Sequence, residues 1–192
     1  MTDAQPADPR EPATHLKVLT GLLTAGTVLI STAFLYAPSP GVRGVLGLCT
    51  TGLAVAYLIV RSVWIRRCWT NADLLAPGSQ RSGRGWAVGG WFVPLVHLWL
   101  PRRVLVDILR AGGDEETRPV DLWWAVVVAV FLAGVAAMAP GIHETALLVG
   151  SALTVVKAVL FIRLVGRVTG RQTERLGLAP LPRYGARAAE RA

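Results

Sequence analysis

A chain of 192 residues has room for one domain of ordinary size, but 53% of it is hydrophobic and only 17% charged, against about 25% charged residues in a soluble domain. That deficit excludes an ordinary water-soluble domain and points to lipid as the solvent. A net charge of +8 raises nucleic acid as a partner, but the basic residues border long uncharged stretches, which accounts for the charge without one.

The first 14 residues, MTDAQPADPREPAT, set three acidic side chains against Arg10 alone. That is the wrong sign for a secretory leader, and Pro6, Pro9 and Pro12 predict a disordered tail over 1–14. Residues 18–42 carry no charge; a first span is placed at about 16–37 and serves as an uncleaved insertion signal. Ala37-Pro38-Ser39-Pro40-Gly41 stops that helix and turns the chain. A second span at about 43–64 is built on the uncharged stretch 44–60. The third, at about 120–139, lies on the uncharged stretch 122–143. Ala139-Pro140-Gly141 opens the link to a fourth at about 144–166, where 145–162 carries only Lys157. A basic tail over 177–192 follows.

Crossing the hydrocarbon takes about 20 helical residues. Runs of Leu, Val and Ala without strand-like alternation predict helices and not barrel strands. The fold expected is therefore an all-α membrane domain over 15–176. It has four transmembrane helices as two antiparallel hairpins, with a Trp-rich interfacial element at 86–111 that ends in a short amphipathic helix. Eighteen of the twenty basic residues lie on one side, with Arg43 and Lys157 the remainder. The charge rule makes that side cytoplasmic, so both termini and the central loop of a multi-pass plasma-membrane protein face the cytosol. The hairpins also match weakly at a shift of 102: Ala37, Pro38, Arg61 and Val63 against Ala139, Pro140, Arg163 and Val165. One residue of slip then sets Thr70, Leu75, Ala76 and Pro77 against Thr173, Leu178, Ala179 and Pro180, as in a parallel repeat.

The central segment, 61–121, holds at its edges or inside it all seven tryptophans: Trp64, Trp69, Trp86, Trp91, Trp99, Trp123 and Trp124. Trp favours the headgroup level, so the segment is expected along the inner membrane surface. The apolar run 87–100 is short and broken by Gly89-Gly90 and Pro94, which predicts an interfacial or re-entrant element. Pro101 then starts a helix. Its Val104, Leu105, Ile108 and Leu109 share one face and Arg102, Arg103, Asp107 and Arg110 the other, a pattern expected to lie flat on anionic lipid.

Trp64, Arg67 and Asn71 at helical spacing precede Trp86-Ala-Val-Gly89-Gly-Trp91-Phe92-Val-Pro94 and then Leu98, Pro101 and Arg103. Together they resemble the signature of a bacterial, mainly actinobacterial, domain of unknown function, family number 4328. The resemblance covers about residues 60–110. It implies a four-helix membrane domain and no activity; His97 stands where Asn is expected to be commoner.

Chemistry is sparse elsewhere. His15 and His97 belong to the inner side and His143 to the outer turn, so no metal site is expected, and no nucleophile, acid–base pair or cofactor motif appears. The glycines of 82–90 do not match dinucleotide or phosphate-loop spacing and read as a flexible link. Cys49 and Cys68 are roughly 28 Å apart on one helix, beyond disulfide reach. Lys157 is the one intramembrane charge; snorkelling to the inner headgroups is its first reading and a substrate or ion role its second. Arg67 and Asn71 can meet on one helix face. They bind a headgroup or phosphate, tie their helix to the Trp-rich element, or help end it.

The function expected is a non-enzymatic membrane scaffold whose cytoplasmic face binds anionic headgroups, another membrane protein or a second copy. A small oligomeric transporter or channel using Lys157 and the broken Gly-Gly/Pro element is the alternative.

Overall fold

The computed structural model describes residues 6–36, 39–91, 93 and 96–178. Its elements are α1 (Arg10–Tyr36), α2 (Pro40–Leu75), α3 (Arg84–Gly89), a 3-10 turn (Val96–Leu98), α4 (Leu100–Ala111), α5 (Arg118–Ala136) and α6 (His143–Arg175). Four of them, α1, α2, α5 and α6, are long and apolar enough to cross a membrane. Prolines sit in the first turn of α2, α4 and α5, where the missing N–H costs nothing and the fixed φ suits a helix. Between α5 and α6 the chain reverses through Gly141, whose φ of +87° favours glycine.

The helices outrun the expected spans at one end. Helix α2 continues past residue 64 to Leu75, α6 past 166 to Arg175, and α1 begins at Arg10 inside the tail expected to be disordered. Pro12, Ala13 and Leu16 are buried there, so apolar contact orders residues that their prolines and charges marked as a tail. The basic tail expected over 177–192 lies outside the described residues from 179 on, as do Ala37, Pro38, Ala179 and Pro180 of the weak repeat.

Helix α1 packs along α2 and along α6, α5 packs along α6, and α2 also reaches α6. Gly26 faces Thr50 and Gly47 faces Ile30, so α1 and α2 run in opposite directions. Among the described residues α2 and α5 form no extensive packing pair, and α4 fills the space between them at the end where α2 and α6 are long, touching both α2 and α5. We call this the cap end and the opposite one the turn end.

The core sits at the cap end. Leu16, Trp64, Ile65, Cys68, Val104, Leu105, Ile108, Leu109, Val120, Leu164, Val165 and Val168 are all at most 1% exposed. This corrects the expectation for α4: its apolar face is buried against protein, because the projecting end of α2 and the helix α5 pack against it. Each such side chain contributes about 1.5–3 kcal/mol by leaving water. For three of the tryptophans the interfacial expectation is corrected in the same way. Trp64, Trp91 and Trp123 are buried in protein, Trp69 and Trp124 are half-buried, and Trp86 and Trp99 stand exposed. At the turn end Leu48, Phe131 and Met138 are exposed, as on helices that are apolar all round.

Candidate functional site

Under the cap, four helices and the segment between α3 and α4 enclose a cavity of about 180 Å³. Helix α2 contributes Tyr57 and Arg61, one turn apart on one face; α5 contributes Trp123, Trp124 and Val127; α6 contributes Lys157, Ala158 and Phe161. Thr20 of α1 and Trp91 and His97 from the cap complete the wall. Arg61 is 7% exposed. Its guanidinium carbon lies 4.1 Å from the centre of the Trp91 ring and 5.3 Å from that of Tyr57, so the charge is held between two aromatic faces. The rings brace one another: Trp123 stacks on Phe161 at 5.2 Å, and Tyr57 meets Phe161 edge-on at 6.3 Å.

The wall is cationic and incompletely satisfied. None of the described residues lining it is Asp or Glu. Arg61 Nε and Trp123 Nε1 are buried and donate to no acceptor among the described residues. A buried donor without an acceptor costs about 1–3 kcal/mol, more when charged, and such atoms are rare enough to require a reason. The His97 ring nitrogen Nδ1 lies 3.1 Å from the Trp91 carbonyl, which can only accept, so Nδ1 carries the proton. Burial pushes the His97 imidazole below its ordinary pKa; the Trp91 carbonyl opposes that shift and Arg61 adds to it. His97 is therefore neutral at neutral pH, and the positive charge comes from Arg61 and the half-buried Lys157.

A family model described as Domain of unknown function (DUF4328) matches residues 37–170. The chain belongs to that family. No curated protein and no solved structure matches it. The DUF4328 match takes in every residue of the cavity wall except Thr20.

Of the residues singled out in the sequence, the DUF4328 structure brings Trp91 and Lys157 to the cavity. Trp64 instead lies in the core, its Nε1 donating to Thr169 Oγ1 at 3.1 Å. Arg67 and Asn71 hold the N-terminal arm. Asn71 accepts from the Ala7 N–H at 2.9 Å, donates to the Ala7 carbonyl at 2.7 Å and to Gln172 Oε1 at 3.3 Å, and Arg67 donates to the Asp8 carbonyl at 2.6 Å. Their partner is thus the arm and not the Trp-rich element, and α2 runs on past Asn71. Trp86 and Arg103 are exposed, and Pro101 is buried in α4. A Cβ at Gly89 would meet nothing, whereas one at Gly90 would fall 2.9 Å from the Trp86 carbonyl oxygen and closer still to Leu100, so the close approach belongs to Gly90. Phe92 and Pro94 lie outside the described residues.

Sequence reasoning missed Arg61, Trp123 as a donor, and Gln172, whose Nε2 donates to the Cys68 carbonyl at 2.8 Å. The signal for Arg61 was available: an arginine at the end of an apolar stretch with Tyr57 four residues before it and Trp64 three after it.

Proposed function

We propose that this protein is a non-enzymatic multi-pass membrane module that binds an anion in the cavity between α2, α5 and α6, with the cap and both termini in the cytosol. One observation carries the reading: two buried donors without an acceptor among the described residues belong to Arg61 and Trp123, which line the same cavity as Lys157, and no described residue of its lining is a carboxylate. An anion would satisfy both donors and offset the charge of Arg61 and Lys157. Eighteen basic residues on one side support the orientation. The alternative of a small transporter or channel uses the same Lys157 and adds movement of the anion across the bilayer.

The test is tryptophan fluorescence of the full chain in neutral-detergent micelles, titrated with inorganic phosphate and with dodecyl phosphate. Trp91, Trp123 and Trp124 ring the cavity and report on it. At least one of the two is expected to give a saturable change, weakened about tenfold or more in Lys157→Met. No saturable, Lys157-dependent change with either would sink the proposal.

A second reading rests on the cap surface. Trp86 and Trp99 stand more than half exposed, and Trp99 shares a surface hollow with Arg81, Arg102 and Arg103. An exposed aromatic–basic patch suits anionic headgroups or a partner membrane protein. Replacing Arg102, Arg103 and Arg110 together by Gln is expected to weaken co-sedimentation with anionic vesicles; unchanged sedimentation and unchanged co-purifying proteins would end that reading.

A further inference from the structure

We infer that the anion held by Arg61, Trp123 and Lys157 is the headgroup of a lipid that enters sideways from the bilayer between α2 and α5; the inference rests on the anion-binding reading above. The burial of the wall sets the direction of entry. Arg61, Trp91, Trp123 and Phe161 form a floor that is 8% exposed or less. Tyr57, Val127 and Lys157, a turn further toward the turn end on their own helices, are only half-buried. The lining is therefore partly open on the side of the apolar spans; His97 and Trp124, on the cap side, are half-buried as well.

The opening is where the bundle lacks a seam. Helices α1 and α2, α1 and α6, and α5 and α6 pack along one another, while α2 and α5 do not pack extensively among the described residues. Trp124, Val127, Phe131 and Val135 recur at helical spacing along one stripe of α5. The first two line or flank the cavity, and Phe131 and Val135 are 62% and 51% exposed. An apolar track thus leads away from the cationic wall, as a headgroup with an acyl chain requires.

Depth agrees with this. Trp123 lies about 7.5 Å along α5 from Arg118, and Lys157 about 9 Å along α6 from Arg163, at 1.5 Å per residue. The cations therefore stand within two turns of the helix positions that mark the membrane edge, a short displacement for a lipid phosphate. The chemistry selects a phosphate- or carboxylate-bearing lipid over a zwitterionic one, because a zwitterion would bring its own cation toward Arg61 and Lys157.

The experiment uses the full chain in nanodiscs holding equal mole fractions of phosphatidylglycerol and phosphatidylcholine, with retained lipid counted by native mass spectrometry. Phosphatidylglycerol is expected to be retained over phosphatidylcholine by about tenfold. Lys157→Met, which removes a charge without opening the core, is expected to abolish that preference, and excess inorganic phosphate to leave it intact. If inorganic phosphate displaces the lipid, or if phosphate binds in a Lys157-dependent way while the two lipids are retained equally, the lipid inference is overturned and the anion site stands. If neither lipid preference nor phosphate binding depends on Lys157, both the inference and the anion-binding reading are overturned.

Discussion

The two ends of the bundle share the same long helices and differ in how their apolar side chains are covered. At the turn end Leu48, Phe131 and Met138 are exposed, and small residues such as Gly26, Gly47 and Gly150 let helices approach. At the cap end the continuations of α1, α2 and α6 leave the apolar stretches and build, with α4, a core of the kind found in soluble proteins, with Trp64 and Gln172 buried and their polar atoms paired. The comparison teaches that a span and its extension follow different rules: hydropathy governs the first, and packing with satisfied hydrogen bonds governs the second. The cavity lies where the two regimes meet, between the buried cap and the exposed apolar helices.

The sharpest way to break that comparison is to remove a large side chain from each end. Trp64→Ala is expected to destabilise the protein by about 3–5 kcal/mol in denaturant unfolding in micelles, while Phe131→Ala changes it little. Equal effects would remove the distinction. Next in size, Asn71→Ala leaves the Ala7 N–H and carbonyl without their side-chain partner. A loss of about 1–3 kcal/mol is expected, with faster hydrogen exchange confined to the N-terminal arm. Exchange rising equally across α5 would show that the arm is not what Asn71 holds.

A finer contrast lies within the cap. Gly90→Ala sets a methyl group against the Trp86 carbonyl and Leu100 and is expected to cost about 1–3 kcal/mol, whereas Gly89→Ala meets open space and is expected to be near neutral. Thermal unfolding of the two variants side by side decides between them. The smallest effect is a pH dependence. The Arg167 guanidinium, hydrogen-bonded to Asp114, holds that carboxyl below the usual carboxylate range against the opposing effect of burial. Because the folded pKa is the lower one, the stabilisation is fully present above the unfolded value of about 3.9 and lost as pH falls through the folded one. Asp114→Asn is therefore expected to lose less stability on acidification below about pH 4 than the unmodified chain; parallel acid melts of the two proteins would overturn it.

Much of this was legible in advance, but unevenly. The four long apolar helices were visible because the terms that make such a helix are local: about 20 apolar residues with flanking charge. Trp64 and Trp123 misled because a clustered aromatic reads as interfacial in sequence, yet both find cover from α6. Helix α4 misled for the same reason: its amphipathic pattern states that one face avoids water and not what covers that face. Of the motif residues, Arg67 and Asn71 share a face as their spacing required, but their partner, the backbone of Ala7 and Asp8, carried no side-chain signal.

The amino-acid sequence by itself determined how many long apolar helices this protein has and that its charges flank them, since each follows from the chemistry of neighbours along the chain. Only the tertiary structure decided that the helices run on into a buried cap and that Arg61, Trp123 and Lys157, from three different helices, line one cavity. The physical reason is that burial and hydrogen bonding depend on which surfaces meet. Those surfaces meet through the packing of α1 on α2 and α6 and of α4 on α2 and α5, which no local pattern records.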